Sequence, residues 1–284
     1  MPIFRTHDDV ELWYERTGTG PPLVVLPGGP GSDLRYLADL GGLDRDRQLI
    51  LLDARAVGRS ALPADRSTVA FTEQARDVEA LRRHLGLARL DLLAHSAGCL
   101  TAQEYAARHP DRVRRSVLVC PVGRAEREPD PAELAELHAS RSAEPWYPDA
   151  AAAERELAQG PAPAEVAGVQ ARLLPFFWYA WHERLRAEYD PAYATALPWF
   201  REAFYAGSAT GPTRSARLAR LAAARTALLV LAGAGDGMVG TAPARAVAAL
   251  HPRARLAVLE RSGHRPWVEQ PAEFRALVND FLAG

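Results

Sequence analysis

Short apolar blocks punctuate this chain. Residues 23–26, 49–52, 90–93, 116–120, 227–231 and 254–259 are mostly apolar, and each is too brief for a typical helix. Blocks of this kind suit strands covered on both faces. At the N-terminus, residues 3–6 and 10–16 alternate apolar with polar around His7-Asp8-Asp9, which predicts a hairpin. Between the blocks the spacing turns helical. Residues 71–85 carry it, with Thr72 and Glu73 near the start, as do residues 100–109, which stop at Pro110. Residues 242–250 and 271–282 predict two further helices. Strands alternating with helices imply right-handed crossovers and a mostly parallel sheet.

The alternation stops near Pro121 and resumes at Thr226. Residues 122–222 show several helical patterns and no convincing strand, and prolines from Pro129 to Pro212 divide them into short pieces. The predicted layout is a core of residues 1–121 and 223–284, interrupted after the sixth strand by a helical cap of residues 122–222. A chain of 284 residues is long enough to bury such a core. No internal repeat stands out.

The formal net charge of -1 offers no electrostatic footprint for nucleic acid or an anionic membrane. All 34 basic residues are arginine, which reads as coding bias before function. Cys99 and Cys120 form neither a disulfide framework nor a metal spacing and read as small buried hydrophobes. The first residues lack a charged stretch followed by an apolar one, and no apolar run approaches membrane-spanning length. The expectation is a soluble cytoplasmic protein; its oligomeric state is not legible.

Chemistry enters at Ala94-His95-Ser96-Ala97-Gly98, which joins the apolar block at 90–93 to the helix after it. A serine at a strand-to-helix turn, with small residues two positions to either side, is the nucleophile-elbow arrangement. The turn is so sharp that only small residues fit beside it, and it exposes the hydroxyl. A serine hydroxyl is a weak nucleophile at neutral pH, so it needs a base, and the base needs an orienting group. His264, in Ser262-Gly263-His264-Arg265-Pro266, follows the last strand. Asp236, in the Gly-rich stretch 233–239, follows the strand before it. All three fall at carboxyl ends of parallel strands, where sites assemble in such sheets. Their order, Ser96, Asp236, His264, is the one expected for this class of sheet.

With Pro27-Gly28-Gly29-Pro30-Gly31 and the 53–60 stretch Asp-Ala-Arg-Ala-Val-Gly-Arg-Ser, these motifs resemble the α/β-hydrolase fold superfamily. The chain is most similar to its proline iminopeptidase-like branch, over nearly its whole length; Pro266, Glu269 and Pro271 around His264 belong to the likeness. The resemblance implies a mostly parallel sheet flanked by helices and an oxyanion hole formed by the Gly29 and Ala97 N–H groups. Arg55 is expected to brace its loop. Three motifs depart from the branch: Pro27 stands where His is common, Ala94-His95-Ser96-Ala97-Gly98 replaces Gly-Gly-Ser-Trp-Gly, and Ala56 replaces a Gly. His95 reads as a packing residue.

Residues 122–222 hold 13 of the 22 aromatic residues. They can fill the cap's own core, or line an apolar pocket over Ser96. Phe177, Trp178, Trp181 and Phe204 are the candidates for both. Glu183 and Glu202 sit among aromatics, and the resemblance implies that cap carboxylates can hold a substrate's free amine; a solvated helical face is the alternative. No metal-ligand cluster, phosphate loop or dinucleotide fingerprint appears, so neither cofactor nor metal is expected. The expected function is a serine hydrolase cleaving a small ester, amide or N-terminal residue through an acyl-enzyme, its partner a small molecule or short peptide. A C–C bond hydrolase, or a cyclase or acyl transferase, would use the same three residues. A receptor that retains the fold without turnover is the remaining alternative.

Overall fold

Each apolar block is a strand of one eight-stranded sheet. The structure, a computed structural model, describes every residue except 1, 163, 189 and 207–211. The strands are β1 (Ile3–Arg5), β2 (Glu11–Thr17), β3 (Pro22–Leu26), β4 (Gln48–Leu52), β5 (Leu90–His95), β6 (Val113–Val119), β7 (Ala227–Gly233) and β8 (Ala254–Leu259). Their order across the sheet is β1-β2-β4-β3-β5-β6-β7-β8. The hairpin partner β2 runs antiparallel to β1 and β4; all other pairs are parallel.

Helix α1 (Phe71–His84) precedes β5, and α2 (Gly98–Arg108) follows it. Between β6 and β7 lie α3 (Pro131–Ala139), α4 (Tyr147–Gln159), α5 (Val166–Arg172), α6 (Phe200–Tyr205) and α7 (Pro212–Ala223). The chain closes with α8 (Ala242–Leu250), α9 (Pro266–Glu269) and α10 (Pro271–Ala283). Prolines open several of these helices: Pro131, Pro148, Pro243, Pro266 and Pro271 occupy first-turn positions. There the missing N–H costs nothing, because that donor has no intrahelical partner in any case. No described helix is long and apolar enough to cross a membrane.

The period-two geometry of β5 divides the core. Leu92 and Ala94 face one side of the sheet with Val78, Leu81, Tyr105 and Val247. Leu93 faces the other with Trp267, Phe274 and Val278. Every residue of β5 is buried, so truncating one of its leucines to alanine would cost about 2–5 kcal/mol. That rigidity matters because β5 ends at the serine turn. A third cluster joins Ala97 and Leu100 to Phe71, Phe200, Phe204 and Leu221, fastening α6 and α7 over the start of α2. Polar contacts add to it: Arg217 of α7 donates to the buried carboxylate of Glu104 on α2 (3.1 Å), which also pairs with Arg108 (2.6 Å). Arg55, fully buried, donates to Asp77, Asp8 and Thr68, so it ties its loop to α1 and to the N-terminal hairpin.

Candidate active site

Ser96 adopts φ +53°, a left-handed value uncommon for a non-glycine residue. The turn is tight enough to dictate its neighbours. A Cβ on Gly28 would sit 2.7 Å from Ser96 Cβ, and one on Gly98 would run into the Pro27 and Leu26 carbonyls. Ala94 at the other flank carries a side chain and is fully buried, so a methyl group is tolerated on that side alone.

Ser96, His264 and Asp236, which motif and order singled out, form a continuous hydrogen-bonded row. Ser96 Oγ lies 3.1 Å from His264 Nε2, and His264 Nδ1 lies 2.7 Å from Asp236 Oδ2. The carboxylate can only accept, so Nδ1 carries the proton and Nε2 is left to accept from the serine. The second carboxylate oxygen is fixed as well, since Asp236 Oδ1 accepts the N–H groups of Met238 (2.8 Å) and Val239 (3.1 Å). Asp236 is completely buried, and Ser96 and His264 nearly so. The Cys120 thiol, Asp236 and His264 bring possible ligand atoms within 4.8 Å of one another. Both carboxylate oxygens are already engaged, and burial holds the thiol protonated by pushing it well above its usual range, so this donor set suits no metal.

His95 packs, but it also connects. Its Nε2 lies 2.8 Å from the His264 carbonyl, which can only accept, so Nε2 carries the proton. Nδ1 must then accept the Tyr36 hydroxyl proton (2.8 Å), and that hydroxyl oxygen accepts the Gly28 N–H (2.7 Å). One chain of bonds thus runs from the glycine turn after β3 to the backbone of His264. Burial lowers His95 far below the usual histidine range and raises Tyr36, so both stay neutral and the chain stays intact. With Gly28 N–H committed, the Gly29 and Ala97 N–H groups beside Ser96 have no protein acceptor among the described residues.

The segment after α5 fastens both remaining loops. The Phe176 carbonyl accepts the Gly237 N–H (2.9 Å), and the Phe177 carbonyl accepts the His264 N–H (2.6 Å). Glu269 closes the clasp: Oε2 accepts from Gly263 N–H (2.6 Å), and Oε1 accepts from Tyr179 (2.9 Å) and Ala180 (3.2 Å). Burial raises the Glu269 pKa against the pull of those three donors. His138 of α3 adds a bond from Nε2 to the Gly237 carbonyl (2.6 Å) and stacks on Phe176 at 3.7 Å. Glycine is required at 237 and 263 by proximity, because a Cβ there would strike the Phe176 or Phe177 carbonyl.

A cleft of about 1160 Å³ opens over Ser96 and His264, bordered by Gly29, Leu137, Phe177 and Met238. Phe177 also meets the His264 ring edge-on at 5.7 Å. The other candidate contacts are distributed differently. Phe204 lines a separate small pocket of about 30 Å³ with Gly28 and Ala97. Trp178 is fully buried beside Arg265, outside both spaces. Trp181 packs against Arg186, which pairs with Glu183 (2.5 Å), and Glu202 is exposed on α6. Trp181, Glu183 and Glu202 do not border the cleft. Tyr36, His138 and the carbonyls of Phe176 and Phe177 were not singled out from sequence; an isolated Tyr or His carries no spacing signal.

The model of the alpha/beta hydrolase fold family matches residues 21–271. The chain belongs to this family. Among relatives, it is 29% identical over 271 residues to RutD, a candidate carbamate hydrolase of Pseudomonas savastanoi, covering 92% of this chain and 93% of that one. It is 32% identical over 108 residues to a proline iminopeptidase of Heyndrickxia coagulans, a match spanning only 38% of either chain. Among solved structures, the esterase RhEst1 from Rhodococcus sp. superposes with a TM-score of 0.70 at 25% identity, covering 100% of this chain and 99% of that one. A hydrolytic function is what this membership supports.

Proposed function

We propose that the chain is a serine hydrolase that cleaves a small ester, amide or N-terminal-residue substrate by way of an acyl-enzyme. The observation that carries this reading is the Ser96–His264–Asp236 row at the floor of a large cleft. Ser96 Oγ attacks the substrate carbonyl carbon while its proton passes to His264 Nε2. Asp236 orients the ring and stabilises the imidazolium that forms. The carbonyl oxygen, now anionic, accepts from the Gly29 and Ala97 N–H groups; loss of one such donor costs about 3 kcal/mol of transition-state stabilisation in related chemistry. His264 returns its proton to the leaving group, which departs as alcohol or amine. Water, deprotonated by His264, then attacks the acyl carbon, and Ser96 leaves with the proton restored. Residues 122–222 act as the cap, and their clasp on the Asp236 and His264 loops holds the base in register.

The test is covalent labelling with a fluorophosphonate probe, followed by peptide mapping. Labelling confined to Ser96, absent in Ser96→Ala, with turnover of p-nitrophenyl esters lost in the same variant, is the expected result. Substantial turnover by a folded Ser96→Ala protein would remove the mechanism. A screen of aminoacyl against acyl substrates then separates peptidase from esterase.

A further inference from the structure

Most charged side chains bordering the cleft are spoken for. Arg127 pairs with Glu133 (2.7 Å), Glu128 with Arg214 (2.8 Å), and Asp130 caps α3 by accepting the Ala132 N–H (2.9 Å). Arg265 donates to the Glu188 carbonyl and lies over the Tyr36 ring at 4.8 Å. Arg124 and Arg201 also border the cleft, and neither has a carboxylate partner among the described residues. Both are packed on Tyr205, with guanidinium carbons 4.2 and 5.4 Å from its ring centroid. That places them within about one Debye length of each other, two like charges with no carboxylate partner among the described residues. Arg124 follows β6 closely, and the Val119 carbonyl at the end of β6 accepts the Ser96 N–H (2.8 Å).

We infer that Arg124 and Arg201 form a carboxylate subsite, and that preferred substrates carry a carboxylate at the end of the acyl chain remote from the scissile carbonyl. This rests on the reading of Ser96 as the nucleophile. A guanidinium stacked on a ring commits its face and retains its in-plane N–H donors, the geometry that binds a carboxylate with two parallel bonds. A bound carboxylate would also relieve the repulsion between the pair. Glu136 on α3 and Asp130 at its cap are the cleft carboxylates with no cationic partner among the described residues, and both are exposed. Two guanidiniums converge on one ring, and that local concentration of positive charge favours an anion over an amine at this end of the cleft.

Three p-nitrophenyl esters of equal acyl length test this: the hexanoate, the adipate monoester and the 6-aminohexanoate. The adipate monoester should exceed the hexanoate in kcat/KM by about 10- to 100-fold, the effect of one or two charge-assisted bonds, and the aminohexanoate should fall below it. In the Arg124→Gln/Arg201→Gln double variant the adipate-to-hexanoate ratio should collapse toward one, whereas Arg255→Gln, on β8 outside the cleft, should keep it. A ratio at or below one in the wild type, or one that the double variant leaves in place, overturns the subsite while Ser96-dependent hexanoate turnover leaves the mechanism standing. Preference for the aminohexanoate overturns it in favour of Glu136 and an amine. If no ester is turned over, or turnover survives Ser96→Ala, the nucleophile reading and the subsite fall together.

Discussion

Asp236→Asn preserves shape and puts the logic of the hydrogen-bonded row to a quantitative test. The carboxylate serves two masters: Oδ1 accepts from Met238 and Val239 N–H, and Oδ2 accepts from His264 Nδ1–H. An asparagine has one accepting oxygen and must choose. If it satisfies the two backbone donors, its NH2 faces Nδ1, the ring proton moves to Nε2, and the base can no longer take the Ser96 proton. Such a tautomer error lowers kcat about 10⁴-fold in a serine protease, or about 5 kcal/mol. If the amide turns over, its NH2 opposes the part-buried N–H groups of Met238 and Val239, at about 1–3 kcal/mol each. The two penalties are comparable, so neither orientation escapes, and the imidazolium loses its carboxylate in both. The expected loss in kcat is about 10³- to 10⁴-fold for p-nitrophenyl butyrate at pH 8, with circular dichroism unchanged. A variant within tenfold of wild type would show that this carboxylate does not orient the base.

Two further perturbations reach beyond the row. Glu269→Gln should turn its one accepting oxygen toward the buried Gly263 N–H and release the Tyr179 and Ala180 amides, which are exposed and recover water. KM should rise more than kcat falls, with a stability loss of about 1–2 kcal/mol; Glu269→Ala, which also strands Gly263, should lower kcat, and unaltered kinetics and urea melts in both would show that the clasp is idle. Burial pushes His251 down to about 4, while its unfolded value stays near the ordinary 6.5. The unfolded chain therefore binds the extra proton between pH 4 and 6.5, and stability should fall by about 3 kcal/mol as pH drops through that window. His251→Gln should flatten urea-derived stability there; equal slopes for variant and wild type would refute the assignment.

The sheet was legible because parallel strands buried on both faces must be apolar at consecutive positions, as 23–26 and 227–231 are. The hairpin was legible through its alternation, and β1 pairs with β2 as expected. Ser96, Asp236 and His264 could be named in advance because each sits in a local motif whose small residues are demanded by the backbone around it. Gly98 and Gly263 show that demand directly. The helical segment was less transparent. Phe177, Trp178, Trp181 and Phe204 look equivalent as aromatics, yet they occupy the cleft wall, the buried interior, an arginine stack and a separate pocket.

Sequence alone determined the order of strands and helices, the serine turn and the two loops that face it, since each depends on neighbours within a few residues. Tertiary structure alone decided that Tyr36 and His95 link the glycine turn to the His264 backbone, that Phe176 and Phe177 clasp two distant loops, and that Arg124 and Arg201 share one tyrosine ring. The reason is the reach of the forces involved. Backbone sterics and solvent exclusion act locally and leave a periodic trace in the chain, whereas a hydrogen bond or charge contact depends on directions set only once remote elements have packed.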